Sequence, residues 1–390
     1  MPHLHIKKFK EIPPCECDED LSFGFVANNI DSRGEKLIAT LCGRESFFLL
    51  LKEQGGKSLL KVDKTTRPPA THTLQKALLG YAKEADLEVL SSNVVEKMRS
   101  LHLKNLSYLK DIEFFANQYE PKSEIWVEIG FGSGRHLLHQ AKANPHITFI
   151  ALEIHKPSIE QVLKQINIQN IENIYLLDYD ARLFLELLES NVVGRIFVHF
   201  PVPWDKKPHR RVISKAFVQE AKRVLKVGGT LELRTDSDLY YEYSYETMLF
   251  LARVDLSISK NRDIAVSSKY EDRWKRMHKN IYDLTLINDE HSPLRDDLGE
   301  LAKLEVLLSR DDLLLLHKKR FIFEGGFLNF ERLYELDGGL LFRLSLGDFA
   351  RAQNLYLLVK DAKASYFAGT LLKTRAAVMA HNKLKELLHG

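Results

Sequence analysis

The stretch IWVEIGFGSG, residues 125–134, decides the fold, because a short apolar run passes directly into three closely spaced glycines. The run predicts a buried strand, and the glycines predict a turn whose backbone approaches a ligand closely before a helix begins. A dinucleotide site has the spacing G-x-G-x-x-G. Here the third glycine, Gly134, comes one residue early, and Glu128 precedes the loop. An acid at that place suits a cationic or amine-bearing ligand better than a diphosphate.

Further apolar runs follow this stretch at residues 147–154, 173–180, 194–200 and 228–236, and we expect another strand at 281–287. Segments with helical spacing lie between them at 135–143, 157–167, 181–189, 214–226 and 238–252, and Gly228 with Gly229 predicts a helix end. Near-continuous apolar strands that alternate with amphipathic helices are typical of βαβ units. The sequence therefore predicts an α/β fold with a doubly wound, Rossmann-like, mostly parallel sheet.

The flanks of this region have a different pattern and suggest separate extensions. We expect a β-rich N-terminal extension over residues 1–92, the central domain over 93–288 with a helical lead-in that ends near residue 119, and a C-terminal α+β extension over 289–390. A last helix is predicted at 371–388. No internal repeat is visible in the sequence, and whether the two flanks pack together stays open.

Composition excludes several classes of protein. The chain has 390 residues, is 45% hydrophobic and 28% charged, and carries a net charge of +3, so any nucleic-acid surface must be local. Three cysteines favour a reducing compartment, and no apolar run is long enough for a secretory signal or a membrane span. We therefore expect a cytoplasmic protein without membrane association. The spacing of His3, His5, Cys15 and Cys17 is poor for structural zinc, and we predict no metal site.

Acids follow three successive predicted strands, where open α/β sheets bind ligands. Glu128 precedes the glycine loop, Glu153 can accept both hydroxyls of a ribose, and Asp180 can accept from an exocyclic amine while the backbone of Ala181 faces the ring. An amino group, a ribose and an adenine together indicate S-adenosylmethionine. The competing interpretation is three unrelated surface acids. The predicted cofactor-binding residues are Glu128, Gly130, Gly132, Gly134, Glu153, Asp180 and Ala181.

The fourth strand runs into VHFPVPWDKKPHRRV, residues 198–212, which presents an indole and several bases in one loop. Trp204 offers a flat face for a nucleobase, and Lys206, Arg210 and Arg211 can meet phosphates. The alternative is a solvated basic loop with the indole in the core. Farther on, Asp236 and Glu271 can accept hydrogen bonds from the Watson–Crick edge of guanine, or they are simply caps or surface acids.

With these residues in place, the chain resembles the bacterial tRNA (guanine-N7-)-methyltransferases, a class I S-adenosylmethionine-dependent family, over about residues 125–287. The matching segments are VEIGFGSG, ALEIHKPSI, DYDA, FPVPWDKKPHRR, LRTD and SSKYEDR. The resemblance implies methyl transfer to N7 of guanine in tRNA, at the guanosine in position 46 of the variable loop, and it adds the segment from Ser268 to Glu271 to the substrate contacts. The predicted substrate-binding residues are Trp204, Lys206, Arg210, Arg211, Asp236, Ser268, Lys269, Glu271 and Arg273.

One departure bears on catalysis. The family's loop usually reads P-D-P-W, but Val202 takes the place of its aspartate. Guanine N7 has an in-plane lone pair and no proton, so transfer needs positioning more than a general base. We therefore predict retained activity, with Asp236 as the candidate catalytic residue. The alternatives are a tRNA-binding protein with weak or no activity, or a methyltransferase for another substrate.

Overall fold

The computed structural model describes residues 2–68, 70–94, 106–264, 266, 271–272, 276–349 and 351–390. The chain divides into a central unit, residues 102–297, and a flanking unit, residues 1–101 with 298–390. The boundaries predicted from the sequence are at residues 92 and 288. The later second boundary has a physical reason, because residues beyond Asn288 still contact the central unit: the Asn191 side chain donates to the Ser292 backbone carbonyl at 2.8 Å, and Lys222 pairs with Glu290 at 2.6 Å.

The N-terminal part of the flanking unit is strand-rich, as predicted. Its elements are β1 (His3–Ile6), β2 (Cys15–Asp18), β3 (Leu21–Asn29), β4 (Glu35–Cys42), β5 (Glu45–Gln54), β6 (Lys57–Val62), α1 (Thr71–Glu84) and β7 (Val89–Ser92).

Strands and helices alternate through the central unit. Its strands are β8 (Leu109–Lys110), β9 (Ile125–Ile129), β10 (Thr148–Leu152), β11 (Ile174–Leu177), β12 (Val193–His199), β13 (Leu225–Thr235), β14 (Asp255–Lys260) and β15 (Tyr282–Ile287). Its helices are α2 (Ile112–Asn117), α3 (Arg135–Ala143), α4 (Lys156–Gln169), α5 (Ala181–Phe184), α6 (Lys215–Val224) and α7 (Asp238–Leu249).

The C-terminal part of the flanking unit returns to strands and ends in a helix. Its elements are β16 (Leu304–Glu305), α8 (Arg310–Leu315), β17 (Arg320–Phe323), β18 (Gly326–Leu336), β19 (Gly339–Gly347), β20 (Gln353–Lys360), β21 (Lys363–Phe367) and α9 (Arg375–His389).

The central sheet has the strand order β14-β15-β13-β12-β9-β10-β11-β8. The strands from β8 to β13 pair in parallel, and β15 runs antiparallel between β13 and β14. After β8, which lies at one edge of the sheet, the chain enters the middle of the sheet at β9 and moves outward through β10 and β11. It then returns to the other side of β9 with β12. This reversal creates a crevice at the carboxyl ends of β9, β10 and β12. The predicted doubly wound sheet is confirmed.

Alternation along β9 gives the sheet two covered faces. Ile125, Val127 and Ile129 belong to a core shared with α6 and α7, whereas Trp126 packs in the core formed with α3 and α4. Both faces of the strand are therefore buried, which is why its sequence reads as a continuous apolar run.

Several predicted boundaries differ from the structure. Helix α6 ends at Val224, and Gly228 and Gly229 lie inside β13. There the Gly228 N–H donates to the Asn288 carbonyl at 2.7 Å, and the Gly229 carbonyl accepts from the Asn288 N–H at 2.8 Å. The predicted helical lead-in is, where it is described, a 3-10 turn at Leu106–Tyr108, then β8 and the short α2. Its residues 95–105 lie outside the described part, and β14 was not predicted.

The flanks form one antiparallel sheet in the flanking unit. Strands β2 to β6 followed by α1, and strands β17 to β21 followed by α9, have the same order of antiparallel pairings, and the halves join where β3 pairs with β18. This is an internal structural repeat that the sequence did not reveal. A meander requires only alternating burial and turns, which unrelated sequences satisfy.

A buried carboxylate ties these two halves together. Glu35 on β4 is 4% exposed and accepts from Tyr334 Oη at 2.7 Å and Arg332 Nη1 at 2.5 Å, both on β18, and pairs with Lys52 Nζ at 2.8 Å. Burial by itself would raise the pKa of Glu35, but its donors outweigh burial and lower the pKa to about 2.

Candidate active site

The glycine loop connects β9 to α3 in a left-handed backbone. Gly130, Gly132 and Gly134 have φ of +72°, +51° and +72°. A Cβ at Gly130 would have no neighbour within 4 Å, and one at Gly132 would meet only a backbone oxygen at 4.0 Å, whereas one at Gly134 would lie 2.4 Å from Val162 Cγ2. The first two glycines therefore border open space, and the third allows α3 to pack against α4.

Glu153, directly after β10, holds the glycine loop. Its Oε2 accepts from the Gly132 N–H at 3.0 Å, and its Oε1 accepts from the N–H groups of Ile154 and His155 at 2.8 and 3.0 Å. A carboxylate offers about four acceptor sites, so this arrangement leaves about one for a further donor. In this arrangement Glu153 can therefore accept from about one ribose hydroxyl, whereas the sequence predicted contact with both.

Asp180 follows β11 and caps α5 by accepting from the Arg182 N–H at 3.1 Å. The Arg182 side chain also forms an ion pair with Asp180, with Nη2 2.5 Å from Oδ2. Desolvation would raise the pKa of Asp180, but the Arg182 guanidinium outweighs it and the pKa is lowered. Arg182 Nη1 additionally donates to the His209 carbonyl at 3.4 Å, which connects this strand end to the basic loop after β12. Ala181, buried, begins α5.

Glu128 lies differently from its predicted role. It is 3% exposed on β9, and its Oε2 is 2.9 Å from Nδ1 of His136 in the first turns of α3. Burial would lower the pKa of His136, but the charge and hydrogen bond of Glu128 raise it overall. Direct contact between Glu128 and the amine of a donor does not fit this burial. The carboxylate instead fixes the helix that follows the glycine loop.

The loop after β12 presents the predicted indole and bases. Trp204 adopts a left-handed conformation with φ of +49°, and the Arg210 guanidinium lies 5.0 Å from the centre of its ring. Lys206 and Arg210 are exposed, and Val202 is 61% exposed. The indole is half-buried, so this loop agrees only in part with the alternative of a Trp204 packed into the core.

Arg211 does not fit the prediction that it binds phosphate. It is 7% exposed, its Nε donates to the Pro203 carbonyl at 2.8 Å, and its Nη2 is 3.4 Å from Asp205 Oδ1. Its guanidinium also lies 4.4 Å from the ring centre of Tyr243 on α7. Arg211 therefore braces the loop from inside, and phosphate contact is left to its exposed neighbours.

The ends of β13 and β15 contain a buried ion cluster that sequence reasoning missed. Arg234 is 2% exposed, and its Nη2 and Nη1 lie 2.8 Å from Glu271 Oε1 and 2.5 Å from Asp283 Oδ1. Glu271, fully buried, is thus the partner of Arg234, which corrects its predicted role as a guanine acceptor. The available signal was an arginine at an inward position of the apolar strand LELRT, because a buried arginine requires acids.

Asp236, the candidate catalytic residue, follows β13 at the same edge. Its Oδ2 is 2.7 Å from Lys279 Nζ, and its side chain is 18% exposed. The remaining predicted substrate contacts, Ser268, Lys269 and Arg273, lie outside the described residues. Within the described part of the chain, no cluster of three or more His, Cys, Asp or Glu is arranged to hold a metal ion. None of the helices described there is long and apolar enough to cross a membrane.

The sheet order, the glycine loop and the acids after β10 and β11 define a class I methyltransferase, whose methyl donor is S-adenosylmethionine. A family described as "Putative methyltransferase" matches residues 122–284. A tRNA (guanine-N(7)-)-methyltransferase of Wolinella succinogenes is 45% identical over 393 residues, covering 100% of both chains. Proteins of the same name from Campylobacter jejuni and Helicobacter hepaticus are 38% and 33% identical, covering 100% of this chain and 98% and 99% of theirs.

The chain belongs to the tRNA (guanine-N(7)-)-methyltransferase family. The resemblance to this family that the sequence motifs carry covers about residues 125–287. The relatives extend it, because they match the flanking unit as well as the central one.

Proposed function

We propose that this protein transfers the methyl group of S-adenosylmethionine to N7 of a guanine in tRNA. Full-length similarity to proteins of that name carries the proposal. The structure adds a loop in which Gly130 and Gly132 border open space and Glu153 holds the backbone in place. We also expect the protein to act in the cytoplasm, where its substrate is made.

On the donor side, the residues present fit S-adenosylmethionine. The backbone of Gly130 and Gly132 would lie against it, and Glu153 has about one acceptor site left for a ribose hydroxyl. The backbone of Ala181 would meet the adenine, and Asp180 would accept from its amino group in exchange with its present partner Arg182. When bound, this group supplies a methyl on a positively charged sulfur. Glu128 contributes indirectly, since it holds His136 and thereby the start of α3.

On the acceptor side, we assign a smaller set than the sequence suggested. The exposed Lys206 and Arg210 would meet phosphates, and the face of Trp204 would stack on a base. Asp236 would accept from the Watson–Crick edge of guanine, in exchange with its present partner Lys279. Ser268 and Lys269 stay in this proposal on the strength of the sequence alone, as does Arg273.

The chemistry explains why Val202 is compatible with activity. The N7 lone pair of guanine attacks without losing a proton, so the protein must orient the base and stabilise the positive charge that develops on the purine. Asp236 is the described carboxylate that we assign to this charge. A carboxylate at residue 202 would add to it, and its replacement by valine is expected to slow the reaction without abolishing it.

The test is incubation of the full chain with bulk tRNA and methyl-labelled S-adenosylmethionine, followed by nucleoside analysis. We expect label in 7-methylguanosine, and cleavage at the modified base should map it to position 46. Binding of tRNA should weaken steeply as salt rises from about 50 to 200 mM, because phosphate contacts release counterions. A protein that binds S-adenosylmethionine and tRNA but leaves guanine unmodified would contradict the proposal.

A further inference from the structure

An exposed surface of the flanking unit combines aromatic rings with cations. We call it the Arg320 face, and it consists of the exposed Lys319, Arg320, Ile322 and Phe349 together with the buried ring of Phe327 beneath them. Along β17 the side chains alternate, so that Arg320 and Ile322 point to solvent while Phe321 and Phe323 pack on the core. Ile322 is 68% exposed and Phe349 57% exposed, which is unusual for such large apolar side chains.

The guanidinium of Arg320 covers a pair of stacked rings. The rings of Phe327 and Phe349 have centroids 5.1 Å apart and an interplanar angle of 27°. Arg320 Cζ lies 4.9 Å from the first centroid and 5.7 Å from the second. Ile322 is opposite Phe327 in the β17–β18 register, so these side chains share one side of the sheet. The arrangement places the planar guanidinium of Arg320 against the rings of Phe327 and Phe349.

The cations of this face are available for a partner. Lys318, just before it, bonds Asp31 Oδ1 at 2.9 Å. By contrast, neither Lys319 nor Arg320 has a carboxylate within ion-pair distance among the described residues. Two cations without acidic partners next to an exposed phenylalanine are the combination that binds unpaired nucleotides, in which a base stacks on the ring and phosphates meet the cations.

We propose that the Arg320 face binds an unpaired nucleotide of the tRNA substrate, with its base against Phe349 and its phosphates at Lys319 and Arg320. This inference rests on the proposed function, since it takes tRNA as the substrate. It assigns to the flanking unit a contact with tRNA in addition to those proposed for Trp204, Lys206 and Arg210 in the central unit. An apolar protein surface suits the face less well, because it would bury both cations without a counter-charge.

The test compares tRNA binding by the full chain and its variants at several salt concentrations. Phe349→Ser should raise the Kd for tRNA about tenfold, because one stacked base is lost, whereas Phe349→Tyr should bind as the unchanged protein does. Arg320→Gln should lower the slope of log affinity against log salt by about one. The matched controls are Lys57→Gln and Leu307→Ser, which remove an exposed cation and an exposed apolar side chain elsewhere in the same unit and should change neither quantity.

The outcomes separate this inference from the proposed function. Unchanged far-UV circular dichroism and an unchanged urea-unfolding transition show that each variant is folded, since the donor site lies in the central unit and does not report on the flanking one. If the unchanged protein methylates tRNA and the Phe349→Ser and Arg320→Gln variants bind tRNA as it does, the inference alone is overturned. If the unchanged protein binds the donor but neither binds nor methylates tRNA, both proposals fall. If Phe349→Ser changes the oligomeric state by light scattering but leaves the Kd for tRNA unchanged, the face belongs to a second copy and the inference is overturned.

Discussion

The predicted cofactor-binding and substrate-binding residues that the structure describes lie at the carboxyl ends of the parallel central strands, and the two sets differ in what holds them in place. On the donor side, at the ends of β9, β10 and β11, the glycine loop, Glu153 and Asp180 lie at the edge where the local sequence predicts them. On the acceptor side, at the ends of β12, β13 and β15, two of the predicted substrate contacts turn inward: Arg211 braces its own loop and Glu271 pairs with Arg234.

This difference shows which charged residues can be given a binding role from the sequence alone. The donor side depends on backbone geometry, which glycine spacing encodes locally. The acceptor side depends on ion pairs between residues far apart in the chain, such as Arg234 with Asp283, 49 residues away. Such pairs are invisible in the spacing of either partner.

The largest effect is expected for the buried cluster of the acceptor side. Glu271→Ala should lower the free energy of unfolding by about 3–5 kcal/mol, because it removes one partner of a buried pair and leaves Arg234 undercompensated. The measurement is urea denaturation of the full chain. Glu242→Ala, an exposed acid on α7, is the control and should stay within about 0.5 kcal/mol. A change in the free energy of unfolding as small as this for Glu271→Ala would show that the ion cluster does not stabilise the fold.

On the donor side, neighbouring glycines should separate binding from folding. Gly132→Asn places a side chain in open space at a positive φ that asparagine tolerates, and should weaken S-adenosylmethionine binding by more than tenfold, since a lost contact to a charged ligand is worth about 1.5–3 kcal/mol. Calorimetric titration measures this.

The matched variant Gly134→Ala should instead lower stability, because its Cβ would meet Val162 at 2.4 Å. Equal effects of both variants on stability, with donor affinity unchanged, would contradict the assignment of the open space to the ligand.

A third change tests the chemistry of the acceptor side. Val202→Asp should raise kcat with tRNA about tenfold, because a carboxylate there stabilises the positive charge on the methylated purine, although its exposure weakens the effect. Single-turnover methyl transfer at saturating donor and tRNA is the readout. Val202→Asn serves as the uncharged control. An equal gain from asparagine would mean that polarity, not charge, limits the reaction.

The smallest effect concerns pH and the His136–Glu128 pair. The pKa of His136 is raised in the folded protein, so its stabilising contribution is complete below the unfolded value of about 6.5 and is lost as pH rises through the folded value. His199, whose ring centre is 4.5 Å from that of His136, has a pKa lowered by burial and by the nearby charges of His136 and Arg234, and it acts in the opposite direction.

Comparing the unchanged protein with His136→Gln isolates the first contribution. The difference in unfolding free energy should be largest near about pH 6 and should shrink toward about pH 9. A difference that grows with pH would contradict the raised pKa. The neutral Gln140, 3.3 Å from His136 Nε2, faces the same ring and does not titrate in this range.

Much of the central unit was predictable because its elements follow from local patterns. The strands β9 to β13 and the helices α3 to α7 all overlap the predicted segments, although α5 covers only Ala181–Phe184 of the predicted 181–189 and a 3-10 turn follows it. Strand β14 was missed, since most of its residues are exposed and DLSISK lacks a buried apolar run. The repeat in the flanking unit was missed for a related reason, because its halves share pairing order and not sequence.

The class of sheet, the glycine loop and the acids beside it follow from the amino-acid sequence, because each depends on spacing along a few consecutive residues. Which charged side chains stay free for a substrate depends on how distant parts of the chain pack together. Lys206 and Arg210 remain exposed, whereas Arg211, Glu271 and Glu128 are buried with partners. The physical reason is that a charge can leave water only where another element of the fold supplies its counter-charge or hydrogen bonds.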